Sequence, residues 1–227
     1  MIPPLPELVS ADVDLIRRRV LGGPGDHLVS GQISIGRSEA VRLGPASPGL
    51  DAELARKLAQ DDEQHHYYLV LLSCTFRAGS APVVGARLSV ALRQADVTGV
   101  REPVVWSMDP LRASTSVTYR RTLRIGPNVK ILPIDTTIER TKEFPADKHY
   151  LVAEGEGESQ VEWAFTATHT VDLVGVHHLS LVARTSARVS CRAELALAAI
   201  RQEKKFGLVP YRATIPTRIG TIRFAGR

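Results

Sequence analysis

Val161-Glu162-Trp163-Ala164-Phe165-Thr166-Ala167-Thr168 is the stretch whose reading decides the fold. Val161, Trp163, Phe165 and Ala167 share one parity, and Glu162, Ala164, Thr166 and Thr168 share the other. Successive side chains of a strand point to opposite faces, so a period of two predicts a strand with one face on a core. Val171 to Arg184 follows as a longer apolar run, with Gly175 marking a bulge or a close approach. Val189, Cys191, Ala193, Leu195, Leu197 and Ala199 then alternate with Arg188, Ser190, Arg192, Glu194, Ala196 and Ala198. Helix propensity competes over Ala193–Ile200, but the alternation favours a strand. Three such strands joined by short turns predict an antiparallel meander.

The same rhythm extends towards the N-terminus. Tyr68, Val70, Leu72, Cys74 and Phe76 occupy one parity, with Leu69 and Leu71 on the other, which predicts burial on both faces near the strand's start. Gly79-Ser80-Ala81-Pro82 reads as a turn into a one-sided strand carrying Ala86, Leu88, Val90 and Leu92, so these two segments predict a hairpin. Shorter strands are expected at His27–Ile35, Pro103–Met108, Val117–Ile125, Val129–Glu139 and His149–Ala153, with Pro133 placing its strand at an edge or a bulge.

Two segments read as short helices. Ser10 caps Ala11–Val20, with acids in the first turn and Arg17-Arg18-Arg19 in the last, as a helix dipole favours. Leu50, Leu54 and Leu58 recur every four residues and predict a second helix over about 48–64. Many short strands, Gly/Pro turns and no βα rhythm point to a mainly β fold. The expected architecture is an antiparallel β-sandwich, immunoglobulin-like or related, in one or two packed units with two short N-terminal helices. The expected organisation is a Pro-rich start and helix (1–25), a first β unit (26–112), a second (113–201) and a basic C-terminal arm (202–227).

Composition narrows the function classes. At 227 residues, 44% hydrophobic and 23% charged, the chain can bury a core without metal or disulfide staples. Cys74 and Cys191 sit in apolar strand-like runs and read as reduced structural thiols. The Met1-Ile2-Pro3-Pro4 start lacks the pattern of a signal peptide, and no apolar run reaches the ~18–20 residues of a membrane helix. These features suggest a cytoplasmic, bacterial protein with no membrane span.

Charge is concentrated at one end. From Arg201 onward there are seven basic residues and one acid, so the tail carries +6 against +5 for the whole chain. Phe206, Tyr211 and Phe224 interleave with Lys204, Lys205, Arg212, Arg218 and Arg223. Three readings fit this tail. It can dock on a partner or another subunit by strand addition, pair within its own sheet, or bind single-stranded nucleic acid.

No reaction chemistry stands out, so no catalytic, cofactor or metal residue is assigned. Seven histidines show no His-x-His or His-Glu-x-x-His spacing, and neighbouring His177 and His178 would face opposite ways in a strand. Asp61, Asp62 and Glu63 beside His65 and His66 form the densest polar cluster, and His169 with His178 is the other candidate pair. Either could serve a metal- or ligand-binding enzyme. The glycine-rich loop Glu154–Ser159 carries three acids, which would repel a phosphate. The leading expectation is a non-enzymatic interaction or assembly module acting with another protein or as a homo-oligomer. The enzyme and nucleic-acid readings are the alternatives.

Overall fold

The computed structural model describes residues 10–17, 28–47, 52–61, 64–95, 99–125, 138–203, 207–215 and 220–224. Among these residues, thirteen strands and one helix follow in chain order. They are β1 (Ser10–Arg17), β2 (Leu28–Gly36), β3 (Glu39–Leu43), α1 (Ala52–Asp61), β4 (His65–Phe76), β5 (Val83–Gln94) and β6 (Val104–Asp109). Then come β7 (Arg112–Ile125), β8 (Ile138–Glu154), β9 (Gln160–Thr166), β10 (Gly175–Ser186), β11 (Cys191–Glu203), β12 (Gly207–Thr214) and β13 (Thr221–Phe224). Every pairing is antiparallel.

The strands form one continuous ladder, β6-β10-β4-β2-β1-β12-β11-β5-β9-β8-β7, with β3 on β4 and β13 on β11. The ladder doubles back on itself. Phe76 of β4 meets Phe165 of β9 at 5.3 Å, and Tyr68 of β4 meets Phe224 of β13 at 4.9 Å, between ring centres. Between the halves lies a core built from the parities read above, including Leu88, Val90, Val161, Trp163, Phe165, Ala193 and Leu197. Burying a side chain of this size contributes about 1.5–3 kcal/mol, so the alternating strands supply most of the driving force.

The expectation of two helices is half corrected. α1 forms within the predicted 48–64 span and packs Leu58 with Leu43, Tyr67 and Val182 over the second face of β4. Residues 10–17 instead form a strand. Val13 and Leu15 are fully buried there, while Asp12 and Asp14 face solvent. That is a period of two, and pairing with both β2 and β12 outweighs the cap and dipole cues, each worth only about 1 kcal/mol.

Connectivity is the larger correction. β4 and β5 do not pair with each other. β4 pairs with β10, β2 and β3, and β5 with β11 and β9. The expected meander of β9, β10 and β11 is absent too, since β10 lies between β4 and β6. Alternation tells which way side chains face, not which strand lies beside which. The β5–β9 and β5–β11 ladders join strands that precede residue 112 to strands that follow it. The predicted strand over 129–139 lies outside the described residues except for its last two, which open β8. No helix among the described residues is long and apolar enough to cross a membrane.

Candidate functional site

The C-terminal segment enters the chain's own sheet. β12 pairs with β1 and β11, and β13 pairs with β11. Tyr211 is buried, and the Arg201 guanidinium lies 5.2 Å over its ring. Its hydroxyl donates to Glu203. Burial first, and then this hydrogen bond, raise the pKa of Tyr211 above the usual phenol value. Phe224 is buried opposite Cys191. Arg212 stands in β12 opposite Ala198, and Arg223 is exposed opposite Arg192. Lys204, Lys205, Phe206 and Arg218 lie outside the described residues. Both described aromatics of the segment are therefore core residues.

The histidine candidates disperse. His178 is exposed in β10, and His169 is exposed in the loop after β9. His177 turns inward, edge-on to Phe76 and Phe165, and its Nε2 lies 2.9 Å from the Leu173 carbonyl oxygen. A carbonyl only accepts, so Nε2 carries the proton and His177 serves packing. Asp61 ends α1, His65 and His66 open β4 half-buried, and Asp62 and Glu63 lie outside the described residues. Among the described residues no group of three or more His, Cys, Asp or Glu could hold a metal. Cys74 and Cys191 are free and buried. Burial pushes their thiols up to about 12 and about 11, so neither is a ready nucleophile.

A different element stands apart from the body. β7 and β8 pair from Arg112↔Val152 out to Ile125↔Ile138. β8 meets β9 only over Leu151–Glu154. β7 is the last strand of the ladder. From Ser114 outward the pair is therefore a two-stranded ribbon of about 40 Å, at ~3.4 Å per residue, with no third strand on either edge among the described residues.

Its base is anchored. Leu151 is buried, the Trp163 Nε1–H donates to the Pro110 carbonyl at 3.2 Å, and the Ala153 N–H donates to that of Leu111 at 2.8 Å. Beside the base, Lys148, His169 and Asp172 help line a cleft of about 480 Å³.

The register sorts the ribbon's sequence into two sets. One holds Val117 opposite Ala146, Tyr119 opposite Phe144, Arg121 opposite Lys142, Leu123 opposite Arg140 and Ile125 opposite Ile138. The other holds Ser116 opposite Asp147, Thr118 opposite Pro145, Arg120 opposite Glu143, Thr122 opposite Thr141 and Arg124 opposite Glu139. Apart from Pro145, the apolar residues of the two strands thus fall in the first set. Residues 112–148 carry eight basic residues and four acids. The alternation of β7 was visible in the sequence. The partnering of β8, through a segment that reads as merely polar, was not.

No protein-family model matches this chain, and no curated protein matches it. Among solved structures it is similar to the NetB toxin of Clostridium perfringens in its membrane-inserted form, at 6% identity over 92% of each chain with a TM-score of 0.26. It is also similar to a pore-forming protein, at 6% identity over 81% of this chain and 88% of that one, with a TM-score of 0.30. Scores of this size carry no argument about the fold or the activity of this chain.

Proposed function

We propose that this chain is a non-enzymatic β-sandwich module that works by assembling with copies of itself, and that the β7–β8 ribbon is the joining element. The observation that carries this reading is the ribbon's pair of open edges. A two-stranded ribbon is marginal alone in water, and unpaired N–H and C=O rows are templates for strand addition. Ribbons from neighbouring copies satisfy both edges at once. A closed ring of them leaves no edge. The C-terminal segment supports the module by completing its sheet rather than by reaching out as a free arm.

The test is a shortened ribbon. Thr115 stands opposite Lys148, so residues 116–147 can be replaced by an Asn-Gly turn. We expect the full chain to sediment as an oligomer, alone or with vesicles, and the shortened chain as a folded monomer. Assembly of the shortened chain, or a full chain monomeric in both conditions at tens of micromolar, would sink the reading.

The sorting of the ribbon favours a second reading, in which assembled ribbons enter a bilayer as a barrel. A spanning strand needs ~9–11 residues of apolar–polar alternation, and each ribbon strand is longer than that. Arg121, Lys142 and Arg140 stand against it, because each cation on a lipid face costs roughly 2–4 kcal/mol at the midplane. Assembly therefore ranks first. Dye release from vesicles by the full chain, absent with the shortened one, would raise the second reading above it.

A further inference from the structure

On the outer face of β5, β11 and β13, register places Arg93 opposite Arg192 and Arg192 opposite Arg223. Three arginines thus stand in one row across three adjacent strands, their Cα atoms about 5 Å from neighbour to neighbour. Like charges directly opposite one another destabilise a sheet, and arginine cannot relieve the repulsion by losing its proton. Glu194 supplies one countercharge. It lies 2.9 Å from Arg192 and 3.8 Å from Arg93, and all three side chains remain about half exposed. Arg223 has no hydrogen-bond or ion-pair partner among the described residues. Among the described residues the row is therefore left with two uncompensated positive charges.

The surface here is concave. The row lines a depression of about 860 Å³, together with Gln94, Ser190 and Thr221. That is the size range of small-ligand sites. The floor is rigid because the alternate residues of the same strands, Leu92, Cys191, Ala193 and Phe224, are core. The strands fix the backbone positions from which the three side chains project. Planar forks match phosphate oxygens two at a time, and the hydroxyls of Ser190 and Thr221 can donate as well.

We infer that Arg93, Arg192 and Arg223 form a binding site for a phosphomonoester dianion, carried either by a small soluble molecule or by a lipid headgroup. Two free positive charges match two negative ones. The site lies on the body, away from the ribbon, and stands whether or not ribbons join copies.

The experiment uses the full chain at pH 7.5 and constant ionic strength, with two probes. One is inorganic phosphate followed by calorimetry. The other is phosphatidylcholine vesicles containing phosphatidic acid followed by co-sedimentation. Arg223→Gln removes the unpartnered arginine without breaking a contact. Arg56→Gln, at an exposed position of α1, which packs over β4, removes the same charge elsewhere. We expect saturable binding of at least one probe, weakened about tenfold by Arg223→Gln and unchanged by Arg56→Gln. Binding should also weaken below about pH 6, where the phosphate loses its second charge. Inorganic phosphate alone would assign a soluble ester, and vesicles alone a lipid headgroup. No binding of either probe, or equal losses in both variants, would overturn the site.

Discussion

The C-terminal segment and the β7–β8 ribbon are alike in composition. Both are rich in basic residues, and both carry aromatic and aliphatic residues among them. The fold treats them differently. β12 and β13 find partners within the chain, and Tyr211, Ile222 and Phe224 vanish into the core. Among the described residues the ribbon finds a third strand only at its base. Composition marks a segment as able to dock; the register of its neighbours decides whether the docking is already complete.

The sharpest way to break this comparison is to damage each region and measure the body. Phe224→Ala empties a buried ring site against Tyr68 and Cys191. It should cost about 3–5 kcal/mol and lower the melting temperature by roughly 6–20 °C. The shortened ribbon should change stability by less than ~1 kcal/mol, because beyond Tyr150 the ribbon pairs only with itself. Urea titrations of both variants compare the two directly. A shortened ribbon as damaging as Phe224→Ala would place the ribbon within the body's cooperative unit.

Alkaline pH sharpens the same contrast. An unfolded thiol ionises near pH 8.5, whereas burial holds Cys74 protonated up to about 12 and Cys191 up to about 11. Between these values the native state binds more protons than the unfolded one, so stability falls as pH rises. The contribution is complete below about pH 8. For Cys74 the loss is at most about 1.4 kcal/mol per pH unit above its unfolded value. Cys74→Ala should flatten the decline between pH 9 and 11, while the shortened ribbon should keep it, since both thiols belong to the body. Parallel slopes for the full chain and Cys74→Ala would refute the assignment.

The faces of the core were legible in the sequence, and the neighbours were not. Leu88, Val90, Trp163 and Phe165 were placed inward by parity alone, and all are buried. Parity also ran through Ala11 to Ile16, where Asp12 and Asp14 mimicked the start of a helix. Pairing is non-local here. β4 lies against β10, with Phe76 opposite Gly175 and His65 opposite Ser186, roughly a hundred residues away in each case. A short turn between β4 and β5 suggested a hairpin that those distant partners outcompete. The arginine row was hidden for the same reason. Arg93, Arg192 and Arg223 are scattered in sequence and become one row only through two ladders.

The finest distinction concerns the ribbon's own register. Arg120 stands opposite Glu143, and Arg124 opposite Glu139, on the polar set. An opposite-charge pair across two strands contributes about 0.2–1 kcal/mol. That is negligible for the body but considerable for a ribbon that is marginal alone. Arg120→Glu should therefore leave the melting temperature within about 2 °C while speeding hydrogen exchange of the ribbon amides severalfold. Adding Glu143→Arg restores an opposite-charge pair in the reversed sense, and exchange should slow again. If the single and double variants exchange alike, the ribbon is not held by this register. The register would then no longer sort its residues into apolar and polar sets, and the case for its entry into a bilayer would go. The open edges, and with them the case for assembly, would remain.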